Sequence, residues 1–184
     1  MMKRKNVLKI KVRDAGEVMD YEAVARRSNG ETLKIRGSTY CETKECITHI
    51  LKRALRSRRD PPEDVEKAVT HVVGYLLTSI KSLGARKISA DLAFSVGVDT
   101  ELALGLTVYR LDGDEDDEEG YVGWYAEIRT AFLGYDGAAA VDGFHEFKKE
   151  LKLGEYLDDS AVKRLVKELK DMAKLAYNIS PAKA

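Results

Sequence analysis

The sequence predicts an α+β fold in which one antiparallel sheet of about six strands packs against four helices. Two periodicities predict it, because several short segments alternate apolar with polar residues and several longer ones repeat apolar residues every three or four positions. The predicted elements are three strands followed by two helices, and this βββαα order occurs twice along the 184 residues. We therefore expect a single fused domain over 1–184, divisible into halves at 1–84 and 85–178, with a flexible tail at 179–184.

Three strands are expected at the start of the chain. Residues 5–13 alternate apolar and polar side chains, as a half-buried strand does. Two further strands, over residues 17–27 and 31–40, flank Asn29 and Gly30. Asn-Gly is the strongest short signal for a tight hairpin, so these two strands should be paired neighbours.

Two helices follow these strands. Thr39 and Glu42 have the spacing of a capping box for the first helix. The second begins at Asp60-Pro61-Pro62-Glu63, which combines an N-cap residue, prolines and an early acidic residue, and Gly84 is its expected C-cap. The apolar stripes comprise Ile47, Ile50, Leu51, Ala54 and Leu55 in the first helix and Val65, Ala68, Val69, Val72, Val73, Leu76, Leu77 and Ile80 in the second.

A second group of three strands is expected over residues 88–98, 102–109 and 121–132, which alternate in the same way. Slipping a strand by one residue would turn its apolar side chains outward, so the pattern restricts the register. Aligning the apolar faces places Val98 opposite Leu102, with a three-residue loop between them.

Two helices close the predicted fold. Asp142 is expected to cap a short helix that carries Phe144, Phe147 and Leu151, and the last helix covers residues 160–177. The apolar face of the last helix has two interpretations, packing within the chain or contact with a second copy in a homodimer. The residues at that face are Val162, Leu165, Leu169 and Met172.

The formal net charge is zero, but the two parts of the chain carry opposite net charges. Residues 1–59 carry 16 Lys and Arg against 7 Asp and Glu, a net charge of +9, and residues 60–184 carry the opposite charge of −9. A segment with such a basic excess attracts phosphate or an acidic protein face, which indicates a binding protein. The sequence has no Walker loop, G-x-S-x-G or G-x-G-x-x-G pattern, so neither a cofactor nor a catalytic residue is assigned.

The basic half contributes one group of side chains from a helix and one from a sheet face. A solvated, salt-bridged surface is one interpretation, with Asp20 and Glu22 neutralising part of the sheet group through cross-strand pairs. The other is contact with nucleic-acid phosphates, in which Lys and Arg supply affinity without reading sequence. The residues expected to hold phosphates are Lys52, Arg53, Arg56 and Arg59 on the helix and Lys9, Lys11, Lys34 and Arg36 on the sheet.

Tyrosines and small residues share one face of the second group of strands. The apolar alignment places Tyr109 opposite Gly123, with Tyr125 and Arg129 on the same face. Tyrosine rings above glycines form a platform for single-stranded bases, so we expect Tyr109, Tyr121 and Tyr125 to stack bases beside Arg129. Two alternatives remain open, close packing of a helix or second subunit and a small-molecule site.

Two groups resemble metal sites only in part. The acidic run at 112–119 lacks the glycine and glutamate of a calcium loop, so a solvated hairpin tip is expected. Cys41, Cys46 and His49 offer three soft ligands without a fourth. A partly buried thiol and an ordinary surface histidine are therefore expected there, and no metal site is assigned.

Asp91 and Glu127 form the one acid–base pair that the sheet face offers. They should lie about two strands apart on that face, with Tyr109 and Tyr125 between them. Acid–base catalysis would require a closed pocket that shifts the pKa of one of them. A face open to solvent would remove this interpretation.

These features favour a non-enzymatic, nucleic-acid-binding protein that engages single-stranded DNA or RNA with little sequence specificity. The alternative is a protein-interaction or assembly subunit, in which the +9 and −9 regions of neighbouring copies meet or an acidic partner docks. No apolar run suits a signal peptide or a membrane span, so a cytoplasmic protein without a membrane partner is expected. The absence of Gln, with three Asn and 34% charged residues, is typical of a hyperthermophile.

Overall fold

A computed structural model describes residues 7–27, 30–56, 58–112, 122–135 and 139–180. These residues form seven strands and three helices. In chain order the elements are β1 (Val7–Asp14), β2 (Met19–Arg26), β3 (Thr32–Thr39), α1 (Lys44–Arg56), α2 (Glu63–Leu83), β4 (Lys87–Gly97), β5 (Thr100–Asp112), β6 (Val122–Gly134), β7 (Gly143–Gly154) and α3 (Asp159–Tyr177).

All seven strands belong to one antiparallel sheet in the order β1-β2-β3-β7-β6-β5-β4. β1 to β3 form one meander and β4 to β7 form a second. The two join where β3 pairs with β7, from Lys34 opposite Lys148 to Thr39 opposite Gly143. The prediction of an α+β fold with one antiparallel sheet is confirmed, although the described residues have one more strand and one fewer helix than expected.

The three helices cover one face of the sheet. α1 packs near β1, α3 lies over β6 and β7, and α2 lies over β4 at the far edge. Inward-facing strand residues join the apolar stripes of the helices in one core. Thr130 on β6 also donates a hydrogen bond of 2.7 Å to the backbone oxygen of Met172 on α3. No described helix combines the length and apolarity that a membrane span requires, and no described element covers the opposite face of the sheet.

The ends of α2 follow partly from the expected signals. The prediction of Gly84 as C-cap is confirmed, since its φ is +63° and its N–H donates to the Ile80 backbone oxygen at 2.9 Å. At the start, Pro62 occupies the N-cap position without a side-chain cap. Asp60, the expected cap, instead lies 3.1 Å from Lys174 Nζ. This ion pair ties the beginning of α2 to the end of α3.

α1 begins later than the capping-box pattern predicts. Thr43 lies just before the helix, and its Oγ1 accepts a hydrogen bond of 3.1 Å from the Cys46 N–H. Thr39 ends β3, where it is fully buried and donates to the Ala140 backbone oxygen at 2.8 Å. The predicted cap is therefore wrong, because Thr39 satisfies backbone groups of the turn that leads into β7.

The largest departure from prediction is β7, which replaces the short helix that Asp142 was expected to cap. Phe144, Phe147 and Leu151 have helical spacing, because Phe144 lies on the opposite face of the strand from the other two. Lys149 faces the core, where its Nζ lies 2.8 Å from Glu31 Oε1 and 2.7 Å from Glu168 Oε2. Two carboxylates neutralise this buried lysine, and its presence at an inward position interrupts the apolar alternation that would mark a strand.

The β4–β5 hairpin also differs from the predicted register. Phe94, and not Val98, lies opposite Leu102, and Val98 with Asp99 forms a two-residue connection. Val98 is 87% exposed, and Asp99 has a φ of +51°, a left-handed conformation that aspartate tolerates. The displacement is an even number of residues, so apart from Val98 the same side chains still face the core and alternation cannot reveal it.

Some predictions concern residues outside the described ranges. These are the hairpin tip at Asn29, residues 113–119 of the acidic run, Tyr121 and the last four residues of the chain. Ile179, expected to belong to the flexible tail, is fully buried. Asn178 beside it donates from Nδ2 to the Arg59 backbone oxygen at 2.9 Å, so the chain is fastened to the loop after α1.

Candidate nucleic-acid interface

The open face of the sheet is the side that points away from the helices. Its side chains come from alternate residues of every strand, so it combines residues that lie far apart in the sequence. Seven of the twelve residues predicted to bind nucleic acid lie on it. These seven are Lys9, Lys11, Lys34, Arg36, Tyr109, Tyr125 and Arg129.

β1, β2 and β3 form the basic end of the open face. Six basic side chains point outward there, against only two acidic ones. Lys9, Lys11 and Lys34 are exposed and form no ion pair with any residue in the described ranges. Arg13 Nη2 lies 2.9 Å from Asp20 Oδ2 on the neighbouring strand, as the cross-strand interpretation predicts. Asp20 therefore neutralises Arg13, whereas the positive charges of Lys9, Lys11 and Lys34 have no acidic partner in the described ranges.

Tyr109 and Tyr125 form an aromatic pair across β5 and β6. Their ring centroids lie 5.3 Å apart and their planes are inclined by 48°. The Tyr125 hydroxyl donates to Glu150 Oε2 at 3.0 Å. The predicted register, with Gly123 opposite Tyr109, is wrong by two residues because an even slip preserves the apolar face. Tyr121, predicted to join these rings, lies outside the described residues.

Arg129 is held above Gly105 by carboxylates of neighbouring residues. Its Nη2 lies 3.7 Å from Asp91 Oδ1 and its Nε lies 3.6 Å from Glu127 Oε1. A Cβ on Gly105 would lie 2.9 Å from Asp91 Oδ1, so glycine leaves room for this contact. The Asp91 side chain is 79% exposed. Asp91 and Glu127 therefore do not occupy the closed pocket that acid–base catalysis would need, and Arg129 is partly neutralised.

A groove opens between β3 and β7 where their pairing stops at Lys34. Its volume is about 390 Å³, and Tyr125 lines it together with the basic residues Lys34, Lys148 and Arg164. The remaining lining residues are Glu31, Thr32, Lys149, Glu150 and Leu151. Lys34 and Tyr125 were predicted separately, from opposite halves of the chain, and the fold brings them to one groove. Lys148 was not predicted as a binding residue, because the apolar spacing of its segment predicted a helix instead of β7.

Two of the four predicted phosphate ligands of the α1 region have structural partners, and one of them, Arg59, lies in the loop after α1 and not on the helix where it was predicted. Arg53 Nη2 donates to the Ile179 backbone oxygen, and Arg59 Nε donates to Asn178 Oδ1 at 3.2 Å. The Arg59 guanidinium also lies 5.2 Å from the centroid of the Tyr177 ring. Burial, followed by the nearby charge of Arg59, lowers the pKa of Arg53. Both arginines thus fasten the end of α1 to the end of α3.

Lys52 and Arg56, the other two of these four predicted ligands, lie on α1, on the opposite side of the sheet from Lys34. Together with His49 and Arg53 they line a separate cavity of about 370 Å³. α1 belongs to the helical layer, whereas the basic end belongs to the open face. The structure therefore divides the predicted basic residues between two surfaces and does not join them into one track.

The predicted dimer residues of α3 are mostly part of the core. Leu165 and Leu169 are each 1% exposed and Met172 is 2% exposed. Val162 is half-buried in a groove between α2 and α3. Of the four residues, Val162 alone could contact a second copy while this core remains intact.

Cys41 and Cys46 are joined by a disulfide, which corrects the prediction of a partly buried thiol. The turn into α1 brings their Cα atoms to 5.9 Å, within the range that a disulfide spans. The sequence spacing gave no sign of this geometry, because it depends on the turn between the end of β3 at Thr39 and the start of α1 at Lys44. No group of three metal-ligating side chains occurs in the described ranges. His145, expected on a helix, lies on β7.

Comparison with protein-family models, curated proteins and solved structures finds no match for this chain. Inference about its function therefore rests on the chemistry of the open face and its groove.

Proposed function

We propose that the protein binds single-stranded DNA or RNA on the open face of its sheet, with little sequence preference and without catalysis. One observation carries this proposal: Lys34 of the basic end and Tyr125 of the aromatic pair line the same groove. A phosphate near Lys34 and a base on Tyr125 would thus belong to one short stretch of nucleic acid. Lys148 adds positive charge on the same face, and Arg164 of α3 lines the groove from the helical side.

The contacts available on this surface favour single strands over duplexes. A tyrosine ring stacks on a base only when the base is free of its neighbours, as in single strands and loops. Lys9, Lys11 and Lys34 attract phosphates whatever bases they carry. Neither kind of contact distinguishes one base from another, so low sequence preference follows.

Ion pairs on the same face limit the affinity and make it depend on salt. Arg36 Nε lies 2.8 Å from Glu146 Oε1, and Lys148 Nζ lies 3.5 Å from Glu127 Oε2. A phosphate would have to compete with these carboxylates for Arg36, Lys148 and Arg129. We therefore expect the three unpaired lysines to contribute most of the electrostatic attraction and binding to weaken steeply as salt rises.

The test compares two charge reversals of equal size on opposite sides of the sheet. Lys11→Glu with Lys34→Glu alters the open face, and Lys52→Glu with Arg56→Glu is the matched control on α1. Fluorescence anisotropy with labelled single-stranded DNA, single-stranded RNA and duplex DNA would be recorded over a salt series. We expect the open-face variant to raise Kd at least about tenfold and to reduce the salt slope by about two, with little change in the control.

A third variant tests the aromatic contact separately from charge. Tyr125→Leu keeps an apolar side chain but removes the ring, and it should cost about 1–3 kcal/mol of binding free energy if a base stacks there. Circular dichroism would establish that each variant is folded. Absence of binding to either single strand at low salt, or equal losses in both charge-reversal variants, would reject the proposal.

A further inference from the structure

The outer edge of β4 carries few of the features that normally protect a sheet edge, and its one register irregularity, between Ser95 and Gly97, lies next to the hairpin. Natural edge strands are commonly short or carry lysines and prolines that prevent pairing with another chain. β1, at the other edge, has eight residues and carries Lys9, Lys11 and Arg13. β4 has eleven residues, contains no proline, and bears only Lys87 and Asp91 as charged side chains. The two edges of the sheet therefore differ in how well they are protected from pairing, and the β4 edge is the one that can accept a further strand.

The backbone of β4 presents hydrogen-bonding groups to that edge. Arg110 N–H donates to the Arg86 backbone oxygen at 2.9 Å, which fixes the alternation along the pair. In an antiparallel pair, residues alternately direct both backbone groups toward the neighbour and away from it. The residues that direct them outward are therefore Lys87, Ser89, Asp91 and Ala93. No strand in the described ranges lies beside them.

Apolar side chains at the same edge are left partly uncovered. The side of α2 that faces α3 carries Glu66 and Thr70, which line the groove between the two helices. Helical spacing then places Tyr75 and Leu83 toward the β4 edge, where they are 64% and 76% exposed. The row of β4 that faces the helices is only half-buried, and it consists of Ile88, Ala90, Leu92, Phe94 and Val96. A neighbour at this edge would bury both groups together.

We propose that the neighbour is a second copy of this chain, joined by antiparallel pairing of β4 with β4 about a two-fold axis at Ser89. Centred there, the outward-directed backbone groups of the two Ser89 residues bond to each other. Lys87 of each copy lies opposite Asp91 of the other copy, so the pairing forms two ion pairs in which Asp91, which lies 3.7 Å from Arg129 Nη2 of its own chain, gains a second cation. Centring the axis on Asp91 would instead oppose two carboxylates. The charge pattern of β4 therefore matches itself in one register and produces a continuous fourteen-stranded sheet.

The first test blocks the edge without breaking a backbone hydrogen bond of the β4–β5 pair, and both of its variants lose the same contact of 2.9 Å between Ser89 Oγ and Thr107 Oγ1. Ser89→Pro removes an N–H that points away from β5, so the hairpin should remain paired, whereas Ser89→Ala keeps that N–H and serves as the control. Sedimentation equilibrium would measure the dimer Kd of the full chain. We expect the wild type and S89A to dimerise and S89P to raise Kd at least about tenfold.

The second test addresses the register and does not depend on the proline variant folding. Lys87→Asp places like charges opposite each other and should raise the dimer Kd about tenfold. Adding Asp91→Lys exchanges the two charges, while Arg129 keeps Glu127 as its partner at 3.6 Å, and should restore Kd to within about threefold of the wild type. Circular dichroism of the monomers would confirm their fold.

Three results would overturn the inference. The first is a wild-type chain that remains monomeric up to about 100 μM. The second is a variant that fails to follow the register: either a folded S89P protein that dimerises as tightly as S89A, or a K87D protein whose dimer Kd is not restored by adding Asp91→Lys. The third is open-ended growth with concentration, because a two-fold pairing closes at two copies and only head-to-tail pairing continues.

Discussion

The Tyr21 hydroxyl donates a hydrogen bond of 2.7 Å to His145 Nδ1 across an intervening strand. Gly37 of β3 lies between them and is paired with Tyr21 on one side and His145 on the other. His145 Nε2 donates to the Val141 backbone oxygen at 2.8 Å, so a neutral imidazole satisfies both ring nitrogens. A buried polar pair thus spans three strands where the two meanders of the sheet join.

Gly37→Ala should destabilise the protein strongly. A Cβ at this position would lie 2.1 Å from the Phe144 backbone oxygen and 2.7 Å from Tyr21 Cε1, and neither a paired backbone nor a buried ring can move away cheaply. We expect a loss of about 3 kcal/mol in the free energy of unfolding, measured by urea denaturation. Gly74→Ala is the matched control, because nothing lies within 4 Å of its Cβ on exposed α2. It should stabilise by about 0.5–1 kcal/mol, and equal losses in both variants would contradict this account.

Gly105→Ala should cost far less, although the contacts at Gly105 are also short. Its Cβ would meet Asp91 Oδ1 at 2.9 Å and the Arg129 guanidinium nitrogens at 3.1 Å. These atoms end flexible side chains on an exposed face, so they can turn outward. We expect a loss of about 1 kcal/mol or less, because a surface ion pair of this kind contributes little. A loss as large as that of Gly37→Ala would show that Arg129 cannot rearrange.

Local chemistry explains which elements could be predicted from the sequence. Gly84 and the apolar stripe before it define α2 without reference to the rest of the chain. β7 could not be identified in this way, because Lys149 and His145 occupy inward positions that a strand pattern reserves for apolar residues. Their burial depends on partners supplied by other elements, namely Glu31 with Glu168 for the lysine and Tyr21 for the histidine.

The candidate site was predictable in its residue types and not in its arrangement. Lys34 and Tyr125 could each be identified as a binding residue from charge and strand alternation. Their meeting depends on β7, which lies between β3 and β6 and was expected to be a helix. The same alternation could not show that α1 lies behind the sheet, so Lys52 and Arg56 were grouped with residues of the opposite face.

Reduction of the Cys41–Cys46 disulfide should lower stability without unfolding the protein. The bridge closes a short loop, since five positions separate the two cysteines, and Cys41 is 1% exposed. Loop-closure entropy for such a bridge is worth about 2 kcal/mol. We expect urea denaturation with and without dithiothreitol to differ by about that amount in the wild type. The double variant Cys41→Ala, Cys46→Ala should show no response to the reductant, and a similar response in both proteins would assign the effect elsewhere.

Stability should fall between pH 6.5 and pH 4 because His145 is buried as a neutral ring. Burial lowers the pKa of His145 from 6.5 to about 4, so the unfolded chain binds the proton first as the pH decreases. The contribution is fully present above pH 6.5 and decreases by about 3 kcal/mol as the pH approaches the folded-state value. The difference in unfolding free energy between the wild type and His145→Gln, measured from pH 4 to pH 7.5, isolates this slope from other titrating groups. His71→Gln, at an exposed position of α2, should preserve the wild-type slope, and parallel profiles for the wild type and His145→Gln would contradict the prediction.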